Sequence, residues 1–416
     1  MSTNAISSTA LASERPMPAV LGSREAALAA VRGLKEKIAA RTEEAEALRS
    51  VPAETIAELT AAGLFGVVTP KRYGGSELGF ATLFEVQAEL ASACASTGWV
   101  FGVLSGHTWL AALFPEQAQD EVFADPRGLI ASLIRLGGEP PERVAGGFRW
   151  RGGTGRFCSG IDHADWVLVG GQVTEADGSG EPWYFLIPRA DVEILDDWYT
   201  VGLRGTGSKS LVVKDAFIPG YRAVRFADLG SGNAPGAAVH EGGLYRQAYD
   251  TVWPFSLAGA AVGAARGALE VFTAKTRQRL AGLPPVAQAA NATALARIGQ
   301  VASQIDAATL LLLHNAEEAD RSPAEPIFDN LDKARRHRDL AYAVQQVRAA
   351  VNTLYEASGG SGVYSSEPMQ RWWRDVNTAA EHVAFTWDLA SVAFGRALVG
   401  LEQAEGPRPG PGVARR

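Results

Sequence analysis

Cysteine is scarce in this chain of 416 residues, which contains only Cys94 and Cys158. Two cysteines are too few for a disulfide framework or a cysteine-based metal site, and they fit a reducing, cytoplasmic compartment. The N-terminus also lacks a basic segment followed by an apolar core, so the sequence predicts no secretory signal. No apolar run reaches about 18 residues, so it predicts no membrane-spanning helix and no membrane partner.

Positive charge is not in excess, because 39 Lys and Arg residues are outnumbered by 46 Asp and Glu residues and the net charge is −7. No stretch clusters Lys and Arg on one face, so a nucleic-acid partner is not expected. The chain has no P-loop, HExxH motif or nucleophile elbow, and "GLRGTG" lacks the strand, turn and helix of a nicotinamide site. Its six histidines show no metal-ligand spacing, so no metal cofactor is expected.

The pattern of apolar residues divides the chain into three regions between two tails. Helical periodicity dominates residues 23–126 and returns over 239–402, whereas residues 127–238 form short β-rich runs separated by Gly, Pro and Asp. This order predicts an α+β fold in which an antiparallel β domain lies between two helical regions. Residues 1–22 and 403–416 are expected to be disordered tails.

Two stretches of the C-terminal region carry specific expectations. "FSLAGAAVGAARGALEVF", residues 255–272, is rich in Ala and Gly, so this helix is expected to pack very closely on its neighbours and to offer faces for oligomerisation. "DVNTAAEHVAFTWDLASVAFGRALVG", residues 375–400, is expected to form one last helix that closes the bundle.

Several polar and aromatic residues lie where the pattern alone leaves their role open. His107 and His382 are in otherwise apolar segments, and such a histidine is more often a satisfied core residue than a ligand. Ser132 and Ser159 fit an ordinary strand serine and turn serine as well as a binding site. Three tryptophans leave the same choice between core and aromatic pocket: Trp99, Trp109 and Trp253.

Four motifs together are similar to one family. They are "ACASTGWVFGVLSGHTWLAALFPEQAQDEVFA", "FCSGIDHADWVLVGG", "DDWYTVGLRGTGSKSLVVKDAFIP" and "GGSGVYSSEPMQRWWRDV". With them the sequence resembles the acyl-CoA dehydrogenase superfamily over residues 25–400, and more narrowly its flavin-dependent monooxygenase branch. That branch contains the oxygenase components of two-component aromatic hydroxylases, such as the 4-hydroxyphenylacetate hydroxylases. The resemblance implies an N-terminal helical domain, a central antiparallel β domain and a C-terminal four-helix bundle.

The resemblance also implies how a flavin is held. In acyl-CoA dehydrogenases a three-residue segment packs against the flavin ring. Its first residue is aromatic, its second varies, and its third is Ser or Thr. Here these residues are Phe157, Cys158 and Ser159, with the Ser159 hydroxyl near flavin N5. Gly359 and Gly360 match a glycine pair that lets the backbone approach the cofactor phosphates. Arg277 lies near a family arginine that reaches a neighbouring subunit's cofactor, with Arg279 as the alternative.

One position separates the two branches. Many acyl-CoA dehydrogenases carry a catalytic glutamate nine residues after the Arg of an Arg-Asp pair, and from Arg374 this count reaches Val383. Valine cannot act as a base, and Glu381 would point about 200° away on the expected helix. His382 matches a histidine of the aromatic monooxygenases, so the resemblance favours that branch.

A second histidine matches as well. His107 lies eight residues after Trp99, the spacing at which the 4-hydroxyphenylacetate hydroxylases place a histidine that contacts the phenol. The resemblance therefore implies His107 as the base for the substrate hydroxyl, with Ser132 assisting orientation and His382 lining the pocket near the flavin. The implied substrate pocket contains three tryptophans: Trp99, Trp109 and Trp253.

The implied function is that of a reduced-flavin-dependent monooxygenase. Reduced FMN or FAD would come from a separate NAD(P)H-dependent flavin reductase, react with O2 to a C4a-hydroperoxide, and pass one oxygen atom to a phenolic or indolic substrate. No metal takes part, and the family forms homotetramers. The alternatives are an acyl-CoA dehydrogenase, an N- or S-oxygenating relative, and a non-catalytic helical scaffold.

Overall fold

Helices occupy both ends of the chain and strands occupy its middle, in a computed structural model that describes residues 12–174, 178–289, 291–321 and 329–401. The helices are α1 (Arg24–Ala40), α2 (Thr42–Leu48), α3 (Ala53–Ala61), α4 (Phe80–Ala93), α5 (Ala95–Ala111), α6 (Glu116–Val122), α7 (Phe226–Ser231), α8 (Tyr249–Val252), α9 (Phe255–Leu280), α10 (Pro285–Ala289), α11 (Ala292–Asp320), α12 (Asn330–Ala357), α13 (Pro368–Ala379) and α14 (Trp387–Leu398). The strands are β1 (Ile130–Leu133), β2 (Gly137–Gly138), β3 (Glu142–Val144), β4 (Gly147–Trp150), β5 (Gly153–Cys158), β6 (Trp166–Thr174), β7 (Gly180–Pro188), β8 (Val192–Leu195), β9 (Lys209–Val213), β10 (Ala216–Pro219) and β11 (Ala223–Arg225). This order confirms the predicted α+β class.

The strands form three small sheets, with strand orders β1-β6-β7-β11, β10-β4-β3 and β2-β5-β9-β8. The expectation of a purely antiparallel domain is wrong at one pair, because β1 and β6 run parallel, with Ser132 opposite Leu168. The chain between these two strands crosses through the other sheets and returns to the same end, which is the connection that parallel pairing needs. β1 contacts helix α5, and Ser159, just after β5, accepts a hydrogen bond from Trp99 of the same helix.

Helix α9 is the core of the C-terminal region and packs on α4 and α5. A Cβ at Gly259 would lie 2.7 Å from the carbonyl oxygen of Phe84, and one at Gly263 only 2.1 Å from that of Ala88. The predicted close packing is therefore used inside the chain, and the Ala- and Gly-rich face of α9 is not left for another subunit. Residues Tyr249–Leu280 are long and apolar enough to cross a membrane, but 78% of their apolar window is buried, as in the core helix of a folded domain.

The segment after residue 375 is not one helix, which corrects the sequence-based expectation. Helix α13 ends at Ala379, a short 3-10 turn covers Val383–Phe385, and α14 begins at Trp387. The break occurs at His382, whose backbone is extended and whose Nδ1 accepts a hydrogen bond from the backbone N–H of Ala384. The residues between the two helices therefore turn inward instead of following a helical face.

The N-terminal segment is packed where the structure describes it. The Arg15 guanidinium lies 2.8 Å from the Asp165 carboxylate and also donates to the carbonyl oxygen of Arg127 at 2.6 Å. Residues 12–22, which the sequence assigned to a disordered tail, are thus held against the β domain by a buried ion pair. The rest of that predicted tail and the C-terminal tail from residue 403 lie outside the described residues.

Candidate active site

A cavity of about 850 Å³ lies where the N-terminal helices, the β domain and the C-terminal helices meet. Its wall is mostly apolar and comes from six stretches of the chain. They contribute Trp99 and Val103; Ser132, Ile134 and Arg135; Arg156, Phe157 and Ser159; Trp198, Thr200, Val201, Leu203, Thr206 and Ser208; Trp253 and Leu257; and Thr378, Glu381, His382, Val383, Thr386, Asp388 and Leu389. A space of this size and lining is typical of a site for a small organic molecule or cofactor.

A chain of hydroxyl groups runs along one wall. The indole N–H of Trp99 donates to Ser159 Oγ at 3.1 Å, Ser159 Oγ lies 2.7 Å from Ser208 Oγ, and Thr206 Oγ1 lies 2.7 Å from Ser208 Oγ. Thr206 in turn donates to the carbonyl oxygen of Leu203. Because that carbonyl only accepts, the protons all point the same way and Ser159 donates to Ser208. Ser159 Oγ then keeps one lone pair, which is free to accept a hydrogen bond from a group in the cavity.

The aromatic residue beside Ser159 is held in a strained conformation. β5 pairs with β9 from Gly153 to Gly155, and the register shifts before Cys158 pairs with Lys209. Inside this bulge Phe157 has a φ of 74°, in the left-handed region that non-glycine residues avoid. Its ring is 69% exposed and lines the cavity. An apolar ring displayed in this way, next to a hydroxyl with a spare lone pair, fits the edge and face of a flavin.

Cys158 does not take part in this arrangement. Neighbouring residues of a strand point to opposite faces, so the Cys158 side chain is turned into the core and is fully buried. Burial raises the pKa of its thiol, which keeps it protonated. The middle residue of the triplet therefore supports the wall from behind.

A loop within the third family motif, to which the sequence analysis assigned no role, carries much of the cavity wall. Leu203 has a φ of 50°, and its two backbone polar groups are both held: the N–H donates to Asp375 at 2.7 Å, and the carbonyl accepts from Trp198 Nε1 and Thr206 Oγ1. Arg374 donates to the neighbouring carbonyl oxygen of Val201 at 2.7 Å. The signal was present in the Arg-Asp pair of "WWRDV", which anchors this loop.

Removing the Asp375 anchor is expected to cost stability. Asp375→Ala leaves the buried N–H of Leu203 without a partner, and such a loss typically costs about 1–3 kcal/mol of unfolding free energy. Asp375→Asn keeps an acceptor oxygen and is expected to lose less. Urea denaturation of the three proteins measures the difference, and equal stability of the alanine variant and the native chain would contradict it.

His107 lies behind the cavity wall with one nitrogen fixed and one unused. Its Nδ1 lies 3.0 Å from the carbonyl oxygen of Ile130, and a carbonyl only accepts, so Nδ1 carries a proton. Burial lowers the pKa of His107 to about 4, so the ring is neutral near pH 7 and Nε2 is an acceptor. Nε2 is buried and has no hydrogen-bond partner among the described residues. Nε2 of His107 is therefore free to accept a proton or a hydrogen bond from a bound molecule.

His382 has the opposite tautomer and faces the cavity directly. Its Nδ1 accepts from the backbone N–H of Ala384 at 3.2 Å, so the proton of the neutral ring is on Nε2. Burial lowers the pKa of His382 to about 4 as well. Its ring contacts Trp99, Trp253 and Phe385, with centroids 5.7, 6.1 and 5.8 Å away. His382 therefore offers a hydrogen-bond donor at Nε2, whereas His107 offers an acceptor at Nε2.

The three tryptophans named from the sequence do not lie together. Trp99 and Trp253 line the cavity, whereas Trp109 is fully buried and donates to the carbonyl oxygen of Leu244 at 2.8 Å. Trp109 follows His107 by two residues, which is about 200° around a helix, so its ring points away from the site and into the core. Ser132 lines the cavity from β1, on the strand whose Ile130 carbonyl orients His107.

The position of the dehydrogenase glutamate is an apolar part of the wall. Val383 lines the cavity, in the turn between α13 and α14. Glu381 lines it too, contrary to the helical argument made from the sequence, because the helix has already ended. Its carboxylate is exposed at the rim and lies 2.9 Å from Arg348, so it is engaged in an ion pair.

Two arginines on the β side of the rim were not singled out from the sequence. Arg135 and Arg156 line the cavity, and the carbonyl oxygen of Arg135 would lie 2.8 Å from a Cβ at Gly155, so the two backbones are in contact. Guanidinium groups are well suited to phosphate and carboxylate. The remaining predicted positions, Arg277, Gly359 and Gly360, are exposed and are not among the described residues that line this cavity; their role toward a neighbouring subunit stays a prediction.

Comparisons with known proteins agree with these features. Two family models match, the acyl-CoA dehydrogenase N-terminal domain over residues 23–124 and the acyl-CoA dehydrogenase C-terminal domain over residues 255–387. The FADH(2)-dependent resorcinol hydroxylase, oxygenase component, of Rhizobium sp. is 35% identical over 94% of this chain and 98% of its own. The crystal structure of the HsaA monooxygenase from M. tuberculosis has a TM-score of 0.85 at 35% identity, covering 92% of this chain and 99% of that one. XiaF from Streptomyces sp., in complex with FADH2 and glycerol, has a TM-score of 0.82 at 28% identity, covering 92% and 97%.

The chain belongs to the acyl-CoA dehydrogenase family. Within that family it falls in the branch of flavin-dependent monooxygenases that act as oxygenase components of two-component systems. The resemblance stated from the motifs is thereby confirmed, together with the fold it implied.

Proposed function

We propose that this chain hydroxylates a small phenol, using reduced FAD that a separate reductase delivers. The observation that carries the proposal is the pair of neutral histidines with opposite tautomers beside the Ser159 hydroxyl chain. FAD is preferred to FMN because the 35%-identical resorcinol hydroxylase is named FADH(2)-dependent and XiaF was solved with FADH2. When bound, reduced FAD supplies the two electrons with which O2 yields one oxygen atom for the substrate and one for water.

The side chains around Ser159 would hold the flavin. The exposed ring of Phe157 offers a flat apolar contact, and the spare lone pair of Ser159 accepts the N–H that the reduced ring carries at N5. Arg135 and Arg156 would neutralise the phosphates at the rim. Arg277, Gly359 and Gly360 would contribute from a neighbouring subunit, as the resemblance implies. The apolar walls keep water out of the site, which prevents premature loss of hydrogen peroxide.

The two histidines would act on the substrate. His107 Nε2 takes the proton of the phenol hydroxyl, which makes the adjacent ring carbon more nucleophilic, and Ser132 helps to orient the ring. The Nε2–H of His382 donates toward the oxygen that is transferred. A phenol is preferred to a thioether because a thioether has no proton to donate to the unpaired Nε2 of His107. It is preferred to an indole or an amine because loss of its hydroxyl proton activates the adjacent ring carbon. An acyl-CoA dehydrogenase is not favoured, because valine occupies the position of the catalytic glutamate.

Rapid mixing with oxygen tests the flavin chemistry. The chain, loaded anaerobically with reduced FAD, is mixed with oxygenated buffer without substrate, and the return of the oxidised-flavin absorbance is followed. We expect a spectral change that is complete well before oxidised flavin returns, because the dry cavity delays release of hydrogen peroxide. Free reduced FAD is the control and reduced FMN the parallel arm, and the slower return identifies the cofactor. Immediate return with both flavins, together with reduction of bound flavin by an acyl-CoA, would move the assignment to a dehydrogenase.

We also propose that the working form is a cytoplasmic homotetramer. The support is a set of exposed apolar side chains on the C-terminal helices and the turn before α13, including Val363, Tyr364, Val392 and Leu398. These positions lie on other helices than the Ala- and Gly-rich α9. Light scattering of the purified chain measures the mass, and a monomer at micromolar concentration would contradict the proposal.

A further inference from the structure

We propose that Trp253 is a gate between the flavin cavity and His107, and that its indole N–H binds the oxygen of the substrate hydroxyl whose proton His107 takes. The inference rests on the proposed function, because it assigns a hydroxyl-bearing ligand to the same site. It adds a donor, a route of entry and a basis for selecting a hydroxyl group.

Trp253 stands between the cavity and the base. It lines the cavity, whereas His107 is fully buried and is not among the described residues of the lining. The two rings are nearly parallel, with 6.1 Å between their centroids and an interplanar angle of 20°. The Trp253 ring also contacts His382, with 6.1 Å between the ring centroids. A molecule in the cavity therefore meets the indole before it reaches the imidazole.

Both rings carry a buried polar atom that the described part of the chain leaves without a partner. These atoms are Nε2 of His107, which accepts, and Nε1–H of Trp253, which donates. An unsatisfied buried group of this kind is unfavourable, because it has lost its hydrogen bonds to water and gained none in the protein. The chemistry of one hydroxyl group matches both atoms, since its oxygen can accept from Trp253 while its proton is donated to His107. A methyl group satisfies neither, and an indole N–H satisfies only His107.

The backbone of Trp253 is fixed, so the side chain is the part that opens. Its N–H donates to the carbonyl oxygen of Tyr249 at 3.0 Å, and its own carbonyl accepts from the N–H and the hydroxyl of Ser256 at 2.9 and 2.6 Å. The residue occupies the short turn between α8 and α9, just before Pro254. With one face on a cavity of about 850 Å³, the ring has space into which it can rotate when a ligand enters.

Binding of phenol and toluene to the flavin-free chain tests the inference without any turnover. Calorimetry is carried out on the native chain, on Trp253→Phe, which keeps an aromatic ring but has no N–H, and on Trp150→Phe. Trp150 is the matched control because it is also buried but donates to the carbonyl oxygen of Glu139, away from the cavity. We expect the native chain to bind phenol more tightly than toluene. In Trp253→Phe the ratio of the two affinities is expected to fall about tenfold, which is the effect of losing one hydrogen bond. Toluene binding is expected to be unchanged in Trp253→Phe, and the control to match the native chain.

Two results would overturn the inference. One is an unchanged preference for phenol in a folded Trp253→Phe protein. The other is an NMR spectrum of the native chain in which phenol shifts no indole N–H resonance. The inference requires that phenol, but not toluene, shifts one such resonance. Failure of the proposed function is distinct, because it would appear as immediate flavin reoxidation in the native chain while the preference for phenol persisted.

Discussion

Replacement of His107 by asparagine is expected to lower the rate of substrate hydroxylation by about 10²–10⁴-fold, the usual contribution of a general base. The asparagine amide can still donate to the carbonyl oxygen of Ile130, but nothing replaces the acceptor at Nε2. Reduced FAD should bind as before, and oxygen should be consumed with hydrogen peroxide as the main product. Single-turnover product analysis with resorcinol and p-hydroxyphenylacetate, together with peroxide determination, measures both changes.

A glutamine at the same position separates proton transfer from hydrogen bonding. His107→Gln brings an amide oxygen toward the site of Nε2, where it can accept a hydrogen bond but cannot hold a proton at neutral pH. If His107 acts as a base, both variants should be slow, although the glutamine variant should bind substrate better. Hydroxylation at the native rate in either variant would exclude His107 as the base.

The pH dependence of the native chain gives an independent check on His107. Burial lowers its pKa to about 4, so the neutral form, which is the one able to accept a proton, predominates throughout pH 6–8. The hydroxylation step should therefore not slow as the pH falls from 8 to 6. A histidine with the ordinary pKa of about 6.5 would lose much of its neutral form over the same range. A fall in rate centred near pH 6.5 would contradict the buried, neutral state described for this ring.

Replacement of Ser159 by alanine is expected to speed the return of oxidised flavin in the absence of substrate by about tenfold, the effect of losing one hydrogen bond. The variant removes the oxygen that is placed to accept the flavin N5–H, and it breaks the hydroxyl chain between Trp99 and Ser208. Rapid mixing with oxygen measures the rate, and more of the reducing equivalents should appear as hydrogen peroxide.

Two neighbouring variants show whether Ser159 acts directly. Ser159→Thr keeps the hydroxyl and should remain close to the native rate. Ser208→Ala removes only the group that receives the Ser159 proton, so its effect should be smaller than that of Ser159→Ala. An equal or larger effect from Ser208→Ala would mean that the intact row of hydrogen-bonded hydroxyl groups, and not the Ser159 oxygen itself, controls the rate of flavin reoxidation.

Much of the fold was predictable because it depends on local patterns. Apolar residues at helical spacing, followed by β-rich runs and then helices again, reflect short-range preferences that survive folding. The candidate site was predictable only as far as motifs reached: Ser159, Phe157, His107 and His382 were recognised by resemblance. Its supporting residues were not, since Asp375 and Leu203 are 172 positions apart and their hydrogen bond exists only after the loop reaches α13.

The errors have equally local physical causes. The segment from residue 375 was expected to form one helix because the helical pattern of the C-terminal region continues through it. The helix instead ends at Ala379, and the side chain of His382 caps a new turn. The parallel pairing of β1 and β6 arose from a crossover that no local pattern encodes. Trp109 was grouped with the pocket because it is near His107 in the sequence, although two positions along a helix place it on the other side.

Composition and periodicity were therefore sufficient to define the class of fold, whereas the family and its candidate flavin-binding triplet were identified by the resemblance of four motifs. The protonation of each histidine, the direction of the hydroxyl chain and the position of Trp253 in front of His107 depend on tertiary structure. The physical reason is that each of these follows from burial or from a hydrogen bond between residues distant in sequence. Ile130 lies 23 residues from the ring that its carbonyl orients, and Trp253 is brought to His107 by the packing of α9 on α5.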